Sequence, residues 1–189
     1  QVSGLQTEYA KLGFTVPEIE NVSKATLDLA QVTGEDLSVA AETAGQTLRA
    51  FGLEATEMSR VTDVMATSFA SSALDMTKFS YAMQYVAPVA NAAGFSLEGV
   101  TGLLGTLAGV GIDGSMAGTA LKKVLGQLAD ESSKLSDKLG GPIDNVEELI
   151  PKLKEMKEDG FSVGEAFELV GERAGPALLA LVENVDDID

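Results

Sequence analysis

Apolar residues along this chain return every three or four positions, and glycine or proline separates one such stretch from the next. That rhythm predicts helices joined by turns, and no alternating strand of useful length appears. A short helix near Leu5 to Leu12 stops at Gly13. Pro17 suits a first helical position and opens a helix that runs to Val32 and ends at Gly34. Asp36, three residues after Thr33, makes a loose capping box for the next helix. There Leu37, Ala40, Ala41, Ala44, Leu48 and Phe51 recur at helical spacing, and Gly52 supplies the glycine that such ends prefer. Met58, Val61, Met65 and Phe69 stripe the following helix; Met76, Phe79, Met83, Val86, Ala87 and Ala90 stripe the one after. Pro88 falls inside that last helix, where a missing backbone donor and a clash with the preceding turn predict a kink or a break.

Ser96 caps a helix in which Gly99, Gly102, Gly105 and Gly109 share one narrow arc, while Leu103, Leu104 and Leu107 cover other faces. Each such glycine costs about 1 kcal/mol of helix stability relative to alanine. Intimate helix–helix contact, within the domain or between copies, has to compensate. A turn from Gly111 to Gly114 leads into a long helix from near Ser115, with an apolar row of Leu121, Val124, Leu125, Leu128, Leu135 and Leu139. Asp130 and Lys134 sit at a supporting i,i+4 spacing on its outer face. Gly140, Gly141 and Pro142 end it and mark the clearest boundary. They divide a main helical core, residues 1–140, from a smaller helical lobe, residues 141–189, expected to pack on it. The lobe reads as a helix from Asp144 to about Asp159, a second from Ser162 to Gly171 opened by a Ser162–Glu165 capping box, and a third from Pro176 to Val185. The acidic tail, Asp186 to Asp189, is expected to fray or to run on into further chain. The fold class is therefore all-α, a multi-helix bundle with Gly/Pro turns.

Charge and composition narrow the chemistry. The net charge is −16, from 29 acidic and 13 basic residues, with no basic stripe of the kind phosphate neutralisation needs. Direct nucleic-acid binding is not expected. The absence of cysteine removes disulfides and thiolate chemistry; the absence of histidine removes the commonest general base and most zinc sites. No catalytic residue, metal ligand or cofactor site is assigned. Between Phe79 and Leu121 the only charged side chains are Glu98 and Asp113, so this block should be covered, by the rest of the domain or by a partner. Its candidate packing or interaction residues are Pro88, Gly99, Gly102, Gly105, Gly109, Gly111, Gly114 and Gly118. Pro88, Gln84, Asn91 and the serines argue against a membrane span from Phe79 to Leu97, and Gly99 to Ile112 is too short and glycine-rich for one.

Several ordered motifs carry a family resemblance. They are Arg49 to Leu53 (RAFGL), Arg60 to Val64 (RVTDV), Tyr85 to Ala90 (YVAPVA) and Gly111 to Leu121 (GIDGSMAGTAL), followed by a block from Phe167 to Leu179 with Gly171, Ala174 and Gly175. In this order they resemble the core region of phage tail tape-measure proteins, over roughly Leu12 to Val182. The resemblance implies a structural component of a phage or prophage tail that helps determine tail length. It implies partners among the tube, tail tip or baseplate and assembly chaperones, with self-association open beside them. It implies residence in the tail lumen of the virion, after assembly in the bacterial cytoplasm. Membrane activity during genome delivery is a second expectation, and a cell-wall hydrolase a third and weaker one. The opening at Gln1, with no Met and no signal segment, reads as a piece of a longer polypeptide.

Two apparent motifs are discounted. Gly109 to Gly114 satisfies G-x-G-x-x-G, but the dinucleotide fingerprint needs a preceding strand and a βαβ unit; here it is a turn between helices. The acid pairs Asp130–Glu131 and Glu147–Glu148 lack converging partners, because adjacent helical residues point in different directions.

Overall fold

The computed structural model describes residues 2–188. Among the described residues there are eleven α-helices, two short 3-10 turns and no strand. The chain forms two compact units, residues 1–71 and residues 72–189. The turn at Gly140 to Pro142 lies within the second.

The first unit contains α1 (Val2–Lys11), α2 (Val16–Thr33), α3 (Leu37–Ala50), a 3-10 turn (Ala55–Glu57) and α4 (Met58–Ser71). The Glu18 carboxylate accepts from the Thr15 N–H at 2.7 Å and from its hydroxyl at 2.8 Å, closing the start of α2. Gly34 then ends α2 in the left-handed conformation, with φ 74°. Asp36 does not complete a capping box begun by Thr33. It is itself the N-cap of α3, its carboxylate accepting from the Ser38 N–H at 2.8 Å. The Thr33 hydroxyl is bound back to the Leu29 carbonyl instead, at 2.8 Å. Small residues let α1 and α3 lie close. A Cβ on Gly45 would stand 3.0 Å from Tyr9 Cε1, and one on Gly4 would stand 2.6 Å from Ser38 Oγ. The order of these contacts makes α1 and α3 parallel.

Tyr9 is the largest fully buried side chain of the first unit. Its ring meets Phe14 edge-on at 5.0 Å, and the Arg49 guanidinium covers the other ring from 4.2 Å. The phenol hydroxyl pairs with that of Thr26, which donates in turn to the Val22 carbonyl at 2.9 Å. Burial raises the Tyr9 phenol to about 12.

The second unit contains α5 (Met76–Ala93), α6 (Leu97–Gly109), α7 (Gly114–Ala129), α8 (Lys134–Leu139), α9 (Val146–Glu158), α10 (Val163–Val170), α11 (Gly175–Glu183) and a 3-10 turn (Val185–Asp187). Its core is mostly aliphatic: Val86, Leu97, Leu103, Leu104, Leu107, Leu121, Leu125, Leu149 and Leu181 are buried, together with the Phe79 ring. α6 spends its leucines inside this core, so its burial is internal. The single long helix expected from Ser115 to Leu139 is two helices. Asp130 caps the break, accepting from the Ser132 N–H at 2.9 Å and its hydroxyl at 2.7 Å, and Ser133 becomes the N-cap of α8. The apolar row survives the break because Leu135 and Leu139 still face inward. The expected Asp130–Lys134 pair is absent: Lys134 reaches Glu168 on α10 at 2.8 Å. Pro88 does not divide α5, which runs unbroken to Ala93. Pro88 and Gln84, whose carbonyl loses its donor, are both exposed, so water can satisfy that carbonyl. In the acidic tail Asp186 is held by Lys154 at 3.2 Å and Lys157 at 2.9 Å, with Val185 and Ile188 buried on either side. Asp189 lies outside the described residues.

One local device occurs three times. Gly13-Phe14-Thr15-Val16, Gly94-Phe95-Ser96-Leu97 and Gly160-Phe161-Ser162-Val163 each end one helix and start the next. The glycines adopt φ 80°, 91° and 79°. The phenylalanine N–H bonds back to Tyr9, Ala90 and Met156 respectively, each at 3.0 Å, and the hydroxyl residue is the next N-cap. The backbone turn is fixed by the glycine, and the ring anchors it.

Candidate interaction surface

The second unit is organised around the contact of α5 with α7. Lys78 Nζ meets Asp113 Oδ2 at 3.1 Å. A Cβ on Gly114 would lie 3.9 Å from Tyr81 Cβ, and one on Gly126 would lie 4.0 Å from Val89 Cγ1. Both numbers climb together, so the two helices run parallel, joined in sequence through α6. At the centre Gly118 sits directly on the backbone of α5. A Cβ there would fall 2.7 Å from Ala82 Cα and 2.8 Å from its carbonyl carbon, inside any permitted contact. Gly118 is therefore required by close approach.

The other sequence candidates divide by position. Gly99 and Gly102 are half-buried and Gly105 is buried. A Cβ on Gly99 would reach 2.6 Å from Val146 Cγ2 of α9, and one on Gly105 would reach 3.3 Å from Ser72. At these two positions the compensating contact lies inside the unit. Gly114 is buried and positively twisted at φ 54°. Gly109 and Gly111 are exposed with open space before them, and Gly111 makes the turn at φ 82°. Pro88 is exposed on the outside of α5.

Around Pro88 the outer face of α5 carries Thr77, Tyr81, Gln84, Tyr85, Asn91 and Ala92, all exposed and none charged. Tyr81 and Tyr85 are 52% and 44% exposed, and Met116 at the start of α7 is 59% exposed. The glycine arc is the conspicuous feature of this block in the sequence, and the tyrosines at i,i+4 are a quieter one. Their spacing with Pro88 is the signal that would have found them.

Chemistry is sparse elsewhere. Among the described residues no cluster of acidic side chains could hold a metal ion. A cavity of about 110 Å³ is lined by Lys138, Lys152, Glu155, Asp159, Phe161 and Glu165. Its charges are largely neutralised within it: Lys138 pairs with Glu165 at 2.9 Å and Lys152 with Glu155 at 3.3 Å. The hydrogen bond from Lys138, then those from the Ser162 N–H and hydroxyl, bring Glu165 down to about 2. Glu168 and Asp186 are also lowered by their lysines. These shifts run opposite to the raised value a general acid needs. They also make a prediction. The folded value of Glu165 lies below the ordinary 4.5, so its stabilising contribution is complete above that pH and is lost as pH falls toward 2. A carboxyl-carbon NMR titration should show Glu165 ionised at pH 3, and Glu165→Gln should flatten the acid limb of the stability curve.

No helix among the described residues is long and apolar enough to cross a membrane. What the geometry defines is a class: an all-helical module built by close backbone packing, presenting an uncharged aromatic face. The chain belongs to the family of phage-related minor tail proteins, whose family model matches residues 1–171. It is 42% identical over 120 residues to the tape measure protein of Pneumococcus phage Dp-1, covering 64% of this chain and 10% of that protein. It is 32% identical over 137 residues to the probable tape measure protein of Escherichia phage P2, covering 72% of this chain and 17% of the relative. The chain thus spans a small part of either relative's length. No solved structure matches it. The final motif of the resemblance has a physical basis: a Cβ on Gly175 would stand 2.7 Å from Phe167 Cε1, so the Phe167 ring needs that glycine.

Proposed function

We propose that this chain is a structural region of a phage or prophage tail protein of the tape-measure kind, acting by packing against other protein and not by catalysis. The observation that carries the reading is the agreement between the family match over residues 1–171 and two tape-measure relatives. Its place is the tail lumen of the virion, and its partners are other tail components. The contact surface lies in the low-charge block, at the exposed residues Tyr81, Tyr85, Pro88 and Met116, supported from beneath by the glycine packing at Gly105, Gly114 and Gly118.

The test uses the complete protein in the phage or prophage that encodes it. Gly118→Val should leave DNA-filled heads intact but yield few tails, or tails of aberrant length, by negative-stain electron microscopy. Normal tails from that variant would refute the proposal. A peptidoglycan zymogram of the purified chain should stay blank; a clearing band would restore the hydrolase reading.

A further inference from the structure

The thrice-used turn belongs to a larger unit. Each time, a first helix, the Gly-Phe-Ser/Thr turn, a middle helix, a second glycine turn and a last helix follow in that order: α1 to α3, α5 to α7 and α9 to α11. The second turn is made by Gly34, Gly111 and Gly171, at φ 74°, 82° and 82°. In every triplet the first and last helices touch and run parallel. Gly4 lies at Ser38 and Tyr9 at Gly45, and α5 climbs with α7 in the same way. Lys154 and Lys157, near the end of α9, hold Asp186 just past the end of α11. The first two triplets share letters as well as shape. GEDLSVAA at residues 34–41 and GIDGSMAG at residues 111–118 agree at Gly, Asp, Ser and Ala, and Asp36 and Asp113 are both N-caps.

We infer that these are three copies of one module, and that the chain opens in stages: α10 of the third module first, the first module next, and the α5–α7 pair of the second module last. A module whose first and last helices close on each other carries much of its stability within itself, so the copies of a tandem array open at different free energies. The copies differ most in the middle helix, which has 18 residues in α2, 13 in α6 and 8 in α10. α6 buries Leu97, Val100, Leu103, Leu104 and Leu107, whereas α10 buries only Ala166 and Val170. Phe167, which meets Gly175, is itself 39% exposed. The ties of α10 to α8 are exposed ion pairs from Lys134 and Lys138, and such pairs hold a helix weakly. The first module lies in a compact unit of its own, residues 1–71, around the buried Tyr9. The second adds the backbone contact of Gly118 with Ala82 to its leucine core. Staged opening is a property of this chain alone and needs no partner.

Native-state hydrogen exchange of the intact chain, followed amide by amide in low denaturant, tests this. Hydrogen-bonded amides of α10 should open roughly tenfold or more as often as those of α2 and α3, and those of α5 and α7 least often. Two substitutions then separate the modules. Alanine is strained at a left-handed turn, so Gly13→Ala should speed exchange in α2 and α3 by roughly tenfold while α5 and α7 keep their rates. Gly160→Ala should do the same in α9 and α10, again sparing α5 and α7. One opening free energy shared by all three triplets would overturn the inference. So would α5 and α7 exchanging before α10, or either substitution speeding exchange equally in every triplet.

Discussion

Gly118→Val should destabilise the second unit by about 3 kcal/mol or more, among the largest effects any single change in this chain can have. The reason is what the new atoms would meet. The positions lying 2.7 and 2.8 Å from the added Cβ are the Cα and carbonyl carbon of Ala82. Those are backbone atoms in the middle of a helix and cannot rotate aside as a side chain can. Relief requires α5 and α7 to part, and that exposes the leucines packed beneath them. The same helix provides an internal control. Gly126 is also helical, but a Cβ there stands 4.0 Å from Val89 Cγ1, an ordinary contact. Gly126→Ala should therefore stabilise by up to about 1 kcal/mol, the helix propensity gained. Urea titration followed by circular dichroism would measure both. Opposite signs are the expected result; a Gly118→Val protein as stable as the original would show that the two helices do not touch.

Tyr9→Ala should cost the first unit about 3–5 kcal/mol, since it empties a fully buried aromatic site. Tyr9→Phe keeps the ring and removes only the hydroxyl; Thr26 retains its bond to the Val22 carbonyl. The loss there should be about 1 kcal/mol. The pair also predicts a pH dependence. The folded value of about 12 exceeds the ordinary 10, so the neutral phenol is favoured by folding. Its contribution is complete below pH 10 and falls away as pH rises toward 12, by on the order of 2 kcal/mol. Tyr9→Phe should lack that alkaline decline. Chemical denaturation at pH 9 and pH 11.5 would show it, and equal slopes in the two proteins would contradict the burial of Tyr9.

The helical elements were legible because their signals are local. Periodic apolar residues, the Ser162–Glu165 capping box and the glycines at positions 13, 34 and 52 act within one or two turns of chain. Sequence and structure differ where a side chain has a choice of partner. Asp130 reads equally well as an i,i+4 partner for Lys134 or as the acceptor of a turn, and Ser132 decided it. Asp186 reads as part of a fraying tail until α9 brings Lys154 and Lys157 to it. Pro88 leaves α5 continuous, and the Gln84 carbonyl it deprives of a donor is open to water. The family was legible from its ordered motifs, but the physical meaning of those motifs was not. Nothing local in Gly118 distinguishes it from Gly126; only the helix laid across it does. The thrice-used Gly-Phe-Ser/Thr turn is present in the letters, but its uneven spacing gives no period to reveal it.

The most direct measurement is the nuclear Overhauser pattern along the α5–α7 seam in the intact chain. Gly118 α-protons should show strong cross-peaks to the Ala82 α-proton and methyl group, with Gly114 near Tyr81 and Gly126 near the Val89 methyls, in that ascending order. Gly118 without contacts to α5, or the same contacts in descending order, would contradict the packing on which the whole reading depends.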